Sequence, residues 1–315
     1  MKILLTSTSF QDTPGKHHDQ LNLLGYEVDY LRGPLKKEEL LPIIGKYQGV
    51  ICGDDEYTAE VLQKGKEGEL KVISKYGIGL DKIDLQTARS LQIIVKNCVG
   101  VNHVTVAEHV FALILSYAKN ILDEVNYTRK GEWKRLTGTE IYGKTLGILG
   151  LGKIGKEVAK RALAFGMNVV AYDKFWDEEF EKNYQIQRSA SIRQLVSVSD
   201  YLSLNMDLNA ESRGILSSEI INNFLKPGCV IINTARGELI NYNALVEGLK
   251  IGKIKAYLTD VLHQEPMPQN YELKDFKNVF ITPHIGSRTF ESVERQGIMA
   301  VQNLYEAFKS LGLQA

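Results

Sequence analysis

A short apolar run, Thr145 to Leu149, leads straight into Gly150-Leu-Gly-Lys-Ile-Gly155, and a helical segment, Lys156 to Phe165, follows. Strand, G-x-G-x-x-G and helix in that order constrain the fold more than any other feature of the chain. Gly150 allows the tight turn, Gly152 lets backbone approach a pyrophosphate, and Gly155 lets helix and strand pack closely. The helix N-terminus then points N–H groups at the bound anion. The glycines alone are a weak signal, but a second apolar strand, Asn168–Tyr172, follows and ends at Asp173. An acidic residue about 20 positions after the last glycine is the expected partner of a cofactor ribose. The stretch therefore predicts a dinucleotide-binding βαβ unit. Asp173 predicts NAD over NADP, because a carboxylate accepts from a ribose 2′-OH and repels a 2′-phosphate.

The rest of the chain must supply a substrate-binding region, and at 315 residues there is length for two domains. Lys plus Arg and Asp plus Glu are 38 each, so neither nucleic acid nor an anionic membrane is an expected partner. Cys52, Cys98 and Cys229 are scattered, and no C-x-x-C occurs. Neither a metal site nor a disulfide framework is expected, and a reducing, cytoplasmic compartment is. Met1–Thr6 reads as a first strand rather than a signal peptide. No apolar run approaches the length of a membrane span.

The first hundred residues alternate strand and helix. Strands are predicted at Ile3–Ser7, Tyr26–Tyr30, Gly49–Cys52, Lys71–Ser74 and Ile93–Lys96. Helices are predicted at Gln20–Leu24, Glu38–Gly45, Ala59–Gln63 and Leu85–Ser90. That alternation implies a parallel sheet. Its marked loop, Lys75-Tyr-Gly-Ile-Gly-Leu-Asp-Lys-Ile-Asp84, follows a strand, at the edge where ligands bind. From Thr105, taken as a helix cap with Glu108 at the third helical position, Val106, Val110, Leu113, Ile114 and Tyr117 recur at helical spacing. This helix is apolar around much of its girth and is expected to be buried between domains or subunits. Asn126–Tyr142 reads as a polar arm or loop. Beyond Asp173 helices are predicted at Ser191–Val196, Ser217–Asn223 and Tyr242–Gly248, and a long one at Phe290–Ser310. Strands are predicted at Tyr201–Asn205, Val230–Asn233, Ile254–Thr259 and Val279–Thr282. The fold class is α/β, with two doubly wound parallel-sheet domains.

Three residues stand just past strand ends in the second half. Arg236 offers a planar fork for a carboxylate, and His284 is a natural proton carrier near neutrality. Glu265 is a carboxylate that could orient the histidine ring and favour its charged form. A clamp, a base and a tuner are what oxidation of a 2-hydroxy acid requires. Each has an ordinary alternative: Arg236 a solvated charge, Glu265 a turn initiator before Pro266, His284 a structural histidine after Pro283. His17, His18, His103, His109 and His263 compete for the role of base. His103 and His109 better suit packing or capping an apolar helix, and Cys229 reads as a core residue.

Six stretches in order then carry a resemblance: Gly77–Asp84, Gly100-Val-Asn-His-Val-Thr-Val-Ala-Glu108, Gly150–Gly155, Asn233-Thr-Ala-Arg-Gly237, Asp260-Val-Leu-His-Gln-Glu-Pro266 and Thr282-Pro-His-Ile-Gly286. Over nearly its whole length the chain resembles the D-isomer-specific 2-hydroxyacid dehydrogenases, which include D-3-phosphoglycerate, glyoxylate/hydroxypyruvate and D-lactate enzymes. The resemblance implies that Arg236, Glu265 and His284 are catalytic. It implies that N–H groups of Ile78 and Gly79, with Arg236, hold the substrate carboxylate. It implies NAD contacts at Thr105, Gly150, Gly152, Lys153, Ile154, Gly155, Asp173, Thr234, Ala235, Arg236, Asp260, His284 and Gly286. A discontinuous substrate domain, 1–101 plus 287–315, with an inserted NAD-binding domain, 102–286, is also implied, as is a homodimer.

The chain departs from the family pattern in places. Asn205-Met-Asp-Leu-Asn209 stands where His-x-Pro-x-Thr is common, which alters a loop beside the cofactor. Lys82 stands where Asn is common, and Val99 where Pro is. The expected activity is interconversion of a D-2-hydroxy acid and its 2-oxo acid. Formate or phosphite oxidation is the alternative within enzymes, with Glu265 in place of the usual Gln arguing against formate. A non-catalytic NAD-sensing corepressor-like protein is the alternative outside them. The substrate side-chain pocket falls to loops near Ser7–Phe10, Gly53–Tyr57 and Tyr76, where no basic cluster announces a phosphate; Lys75 and Arg32 are candidates by charge alone.

Overall fold

The computed structural model describes residues 1–313. The chain forms two compact units: Met1–Asn102 together with the segment from Arg288 onward, and His103–Ser287.

The first unit is built on five parallel strands, β1 (Lys2–Leu5), β2 (Glu27–Tyr30), β3 (Gly49–Cys52), β4 (Val72–Lys75) and β5 (Ile94–Asn97), in the order β2-β1-β3-β4-β5. Successive strand residues face opposite sides of a sheet, and here both sides are covered. Leu4, Val50 and Ile73 pack with Val61 and Leu62 of the helix Ala59–Glu67. Ile3, Leu5, Ile51 and Val72 pack with Val301, Leu304 and Phe308 of the helix Phe290–Ser310. That helix lies so close to β3 that a Cβ on Gly49 would sit 2.6 Å from the Phe308 ring. Full burial of a side chain like Phe308 contributes about 1.5–3 kcal/mol, which explains how a helix so remote in sequence belongs to this sheet.

The second unit carries seven parallel strands: β6 (Thr145–Leu149), β7 (Asn168–Tyr172), β8 (Gln187–Arg188), β9 (Tyr201–Leu204), β10 (Cys229–Asn233), β11 (Ile254–Thr259) and β12 (Val279–Ile281). Their order is β12-β11-β10-β9-β6-β7-β8. The chain moves outward from β6 in one direction, then returns to lay β9 on its other side. The switch point, where ligands bind in open α/β sheets, therefore lies between the carboxyl ends of β6 and β9. The helices His103–Ala118 and Lys153–Ala164 cover one face, with Val110, Ile114, Val158 and Ala162 against Leu146 and Ile148. On the other face Leu195, Ile221, Leu245 and Leu249 meet Leu149, Leu202 and Ile231.

Several boundaries differ from the sequence reading. The apolar helix begins at His103, so Thr105 is not its cap; it lies buried in the first turn. Residues Ile121–Arg129, the last four of which fall in the stretch read as an arm, form a helix that buries none of its side chains. Its apolar positions, Ile121, Leu122 and Val125, are exposed, lie within little more than one turn and are too few to register as a period. Glu38–Gly45 is not one helix but a turn at Lys37–Leu40 and a 3-10 turn at Ile44–Lys46. The predicted helix Ser217–Asn223 is a short π-helical turn, Ile220–Phe224. The helix Glu178–Tyr184 and strand β8 had not been read at all. Among the described residues no helix is long and apolar enough to cross a membrane.

Candidate active site

At the switch point the three glycines are held by what surrounds them. Gly150 has φ +97°, and a Cβ there would meet the Asn205 carbonyl at 2.7 Å. A Cβ on Gly155 would lie 2.1 Å from the Gly150 carbonyl, so neither position admits a side chain. Gly152 differs: nothing lies within 4 Å of its Cβ position. It caps the helix Lys153–Ala164 without a side-chain hydrogen bond, so the first-turn N–H groups face an open space suited to an anion. A tight turn, a close helix and one open glycine fit a dinucleotide pyrophosphate. Lys153 is exposed and Ile154 half-buried in that first turn. Asn205, the first residue of the departure from the family pattern, donates its N–H to Leu149 at 2.8 Å and forms the other wall of the turn.

Asp173 stands at the end of β7 and reaches back to this loop. Its Oδ2 accepts from the Leu151 N–H at 2.6 Å and its Oδ1 from the Phe175 N–H at 2.8 Å. The carboxylate thus braces the glycine turn. Each oxygen keeps a second lone pair, so bracing and ribose binding are compatible. It borders an open hollow lined also by Tyr172, Lys174, Arg188 and Ser189.

Arg236 is placed by the turn after β10. The fully buried Asn233 organises that turn: its Nδ2 donates to the Arg236 carbonyl at 2.8 Å and its Oδ1 accepts from the Ala235 N–H at 3.1 Å. Thr234, Ala235 and Arg236 are half-buried. Next to them, a Cβ on Gly237 would lie 2.3 Å from the Leu262 backbone. This close crossing brings the turn carrying Arg236 against the segment that leads to Glu265.

Glu265 and His284 are in contact. Glu265 Oε1 accepts from the Leu262 N–H at 2.8 Å, and Oε2 lies 2.8 Å from His284 Nδ1. An ionised carboxylate only accepts, so Nδ1 carries the hydrogen and Nε2 is left as the nitrogen that can take up or release a proton. Both side chains are about one-third exposed, at 34% each. His284 has φ +54°, a left-handed conformation that non-glycine residues adopt at a cost and that recurs at functional sites.

Asp260, predicted as a cofactor contact, is buried, and its carboxylate is engaged within the chain. Oδ1 accepts from the Thr282 hydroxyl at 2.6 Å and from the Ile285 N–H at 2.9 Å, and Oδ2 from the Gly286 N–H at 2.7 Å. Burial works to raise its pKa, but hydrogen bonds from His109, Thr282 and the Ile285 N–H outweigh that and hold the carboxyl below the usual carboxylate range. The sequence reading missed Thr282 and set His109 aside. Their one sequence signal was a histidine inside an otherwise apolar helix.

Of the competing histidines, His263 Nε2 sits 2.8 Å from the Ile240 carbonyl and packs edge-on against Tyr242, a structural role. His17 and His18 lie in the first unit, each packed edge-on against Phe10. Ile78 and Gly79 also lie there, in the loop after β4. That loop is anchored by Asn97 Nδ2 on the Ile78 carbonyl at 2.7 Å and by the Cys98 N–H on the Gly77 carbonyl at 2.8 Å.

Residues 111–286 match the family model described as "D-isomer specific 2-hydroxyacid dehydrogenase, NAD binding domain". A Thermotoga maritima protein named hydroxypyruvate reductase is 38% identical over 308 residues, covering 96% of this chain and 97% of that protein. A Methanocaldococcus jannaschii protein named D-3-phosphoglycerate dehydrogenase is 37% identical over 298 residues. That match covers 93% of this chain but 56% of the relative, so the chain spans about half the length of that protein. The apo-structure of Escherichia coli D-lactate dehydrogenase superposes with a TM-score of 0.85 at 26% identity, covering 99% of this chain and 98% of the other.

Proposed function

The chain belongs to the D-isomer specific 2-hydroxyacid dehydrogenase family, and from that membership we propose that it is an NAD-dependent oxidoreductase interconverting a D-2-hydroxy acid and its 2-oxo acid. The observation that carries the reading is the 2.8 Å contact between Glu265 and His284 Nδ1, which leaves Nε2 as the proton-carrying nitrogen. NAD, when bound, supplies the hydride acceptor or donor. The protein's part is positioning and proton management. His284 takes the proton of the C2 hydroxyl in oxidation and returns it in reduction. Arg236 binds the carboxylate and polarises the C2 oxygen. By the resemblance to the family, the N–H groups of Ile78 and Gly79 are our candidates for a second hold on the carboxylate. Gly152, Lys153 and Ile154 would hold the pyrophosphate, and Asp173 the ribose. Thr105, Thr234, Ala235, Asp260, His284 and Gly286 are further candidate NAD contacts.

We propose hydroxypyruvate or glyoxylate as the first substrates to try, because the relative named hydroxypyruvate reductase is matched over 97% of its own length. A panel of glyoxylate, hydroxypyruvate, pyruvate and phosphohydroxypyruvate, each with NADH and with NADPH, tests the reading. At least one should turn over, with NADH better by tenfold or more in kcat/KM, about 1.4 kcal/mol at the ribose. No turnover with any of them favours a non-catalytic NAD-binding role, and equal use of NADPH removes Asp173 as the discriminating residue.

A homodimer is proposed on the face that the second unit leaves uncovered. Ile121, Leu122 and Val125 of the outer helix, with Trp133, Leu136 and Tyr142 of the arm after it, are large apolar side chains exposed by 39–82%. An apolar patch of this kind marks an association surface. Sedimentation equilibrium should give twice the chain mass, and a Trp133→Glu, Leu122→Glu double change should halve it; a monomer at micromolar concentration refutes the proposal. A reducing, cytoplasmic setting is proposed as well, in keeping with three buried, unbridged thiols at Cys52, Cys98 and Cys229.

A further inference from the structure

We infer that His109 is a positioning residue for His284, acting through Thr282 and Asp260. The inference rests on the proposed reading of His284 as the proton carrier and adds a residue that reading does not use.

The structure requires something to hold His284. Its φ of +54° is a conformation its side chain disfavours. A strained residue persists only where its surroundings over-determine it. Here the surroundings are Asp260. Its carbonyl accepts from the His284 N–H at 3.0 Å. Its carboxylate accepts from the next two N–H groups, Ile285 at 2.9 Å and Gly286 at 2.7 Å. Three successive backbone donors of this turn thus reach one residue, the first of them shared with the Thr282 carbonyl at 3.0 Å.

Asp260 must in turn be fixed, since its side chain is 2% exposed and ionised. The Thr282 hydroxyl donates to Oδ1 at 2.6 Å. That hydroxyl has given away its hydrogen, so the 3.0 Å contact between Thr282 Oγ1 and His109 Nε2 must use a hydrogen on the histidine. The same Nε2 lies 3.5 Å from Asp260 Oδ1. His109 therefore donates into the Thr282–Asp260 pair from the helix His103–Ala118, the element packed against the glycine-loop helix. The packing is as tight as the hydrogen bonding. A Cβ on Gly286 would lie 2.9 Å from Asp260 Oδ2 and 3.5 Å from the His109 ring, so ring and carboxylate form the floor on which the turn sits.

An ordinary packing histidine would be replaceable by any side chain of similar volume. A positioning histidine is replaceable only by one that donates from the same place. Both His109→Leu and His109→Gln keep most of the volume, and only Gln offers an N–H towards Thr282. In the same way Thr282→Ser keeps the hydroxyl and Thr282→Val removes it.

The experiment measures kcat, KM for the best 2-oxo acid, NADH affinity by fluorescence, melting temperature, and the kinetic isotope effect with 4-deuterated NADH, for these four variants and His284→Ala. Expected is a loss in kcat of about tenfold or more for His109→Leu and Thr282→Val, as for a sub-ångström misplacement of a reacting group. NADH affinity should stay within about twofold, the isotope effect should increase, and Gln and Ser should recover most of the loss. Wild-type kcat in His109→Leu overturns the inference. So does a loss confined to NADH affinity, or equal impairment of Leu and Gln in folded protein. If His109→Leu does not fold, the Thr282 pair decides by the same criteria. Failure of the underlying reading looks different: His284→Ala would then be active, whereas an inactive His284→Ala beside an unimpaired His109→Leu sinks the positioning role alone.

Discussion

Arg236→Lys should lower kcat/KM by about a hundredfold or more, roughly 2.7 kcal/mol of transition-state stabilisation, while NADH binds nearly as before. The substitution keeps the positive charge and loses the planar fork, which is what a carboxylate engages in two parallel hydrogen bonds. The site gives a reason to expect poor compensation by lysine. Arg236 is half-buried on a turn whose backbone is fixed by Asn233, and its Nη1 already donates to the Ala235 carbonyl at 2.8 Å. That bond engages one nitrogen of the fork. A lysine has a single rotatable ammonium and no second nitrogen to be held while the first engages substrate. Parallel measurement of NADH affinity separates the two meanings of a loss. Affinity falling in proportion to activity would make Arg236 a cofactor residue.

The parts of this fold that were legible in the sequence are those whose signal is local. β6 was read from an apolar run with a glycine turn behind it, and its bounds, Thr145–Leu149, agree. The final long helix was placed near Phe290–Ser310 and spans those residues, with one face buried along its length. The helix Ile121–Arg129 buries no such face. Two-residue β8 is too short for alternation to register. At the site the same division holds. Arg236, Glu265 and His284 could be singled out because each stands just beyond a recognisable strand. The contact between Glu265 and His284 was expected and is present. The network beneath them was not foreseen, since His109 and Thr282 are 173 residues apart and no local pattern pairs a helix interior with a strand end. Asp260 was read as a cofactor contact from its motif alone. The three N–H groups it holds become visible only once β11 and β12 lie side by side.

The largest effect is expected at the pair itself. His284→Ala should cost about two to four orders of magnitude in both directions, far more than any loss in NADH affinity, the usual range for loss of a positioned general acid–base group. Glu265→Gln is the more informative change. Reduction of a 2-oxo acid needs a proton on Nε2 of His284 to give to the nascent alkoxide, so activity falls on the alkaline side as the ring loses its charge. In the wild type, Glu265 Oε2 sits 2.8 Å from Nδ1 and places a negative charge beside the ring, which favours imidazolium. Glutamine can still accept from Nδ1 but carries no charge. The alkaline limb of kcat/KM for reduction should therefore move towards acid. For oxidation the sign reverses in its consequence. That direction needs the neutral ring, so the acid limb moves to lower pH as well and the variant gains relative activity on the acid side. The two limbs belong to one coupled titration and must shift together. Profiles measured in both directions thus check each other. A limb that moves in reduction but not in oxidation assigns the titration to another group, and an unmoved pair of limbs means Glu265 orients the ring without tuning its charge.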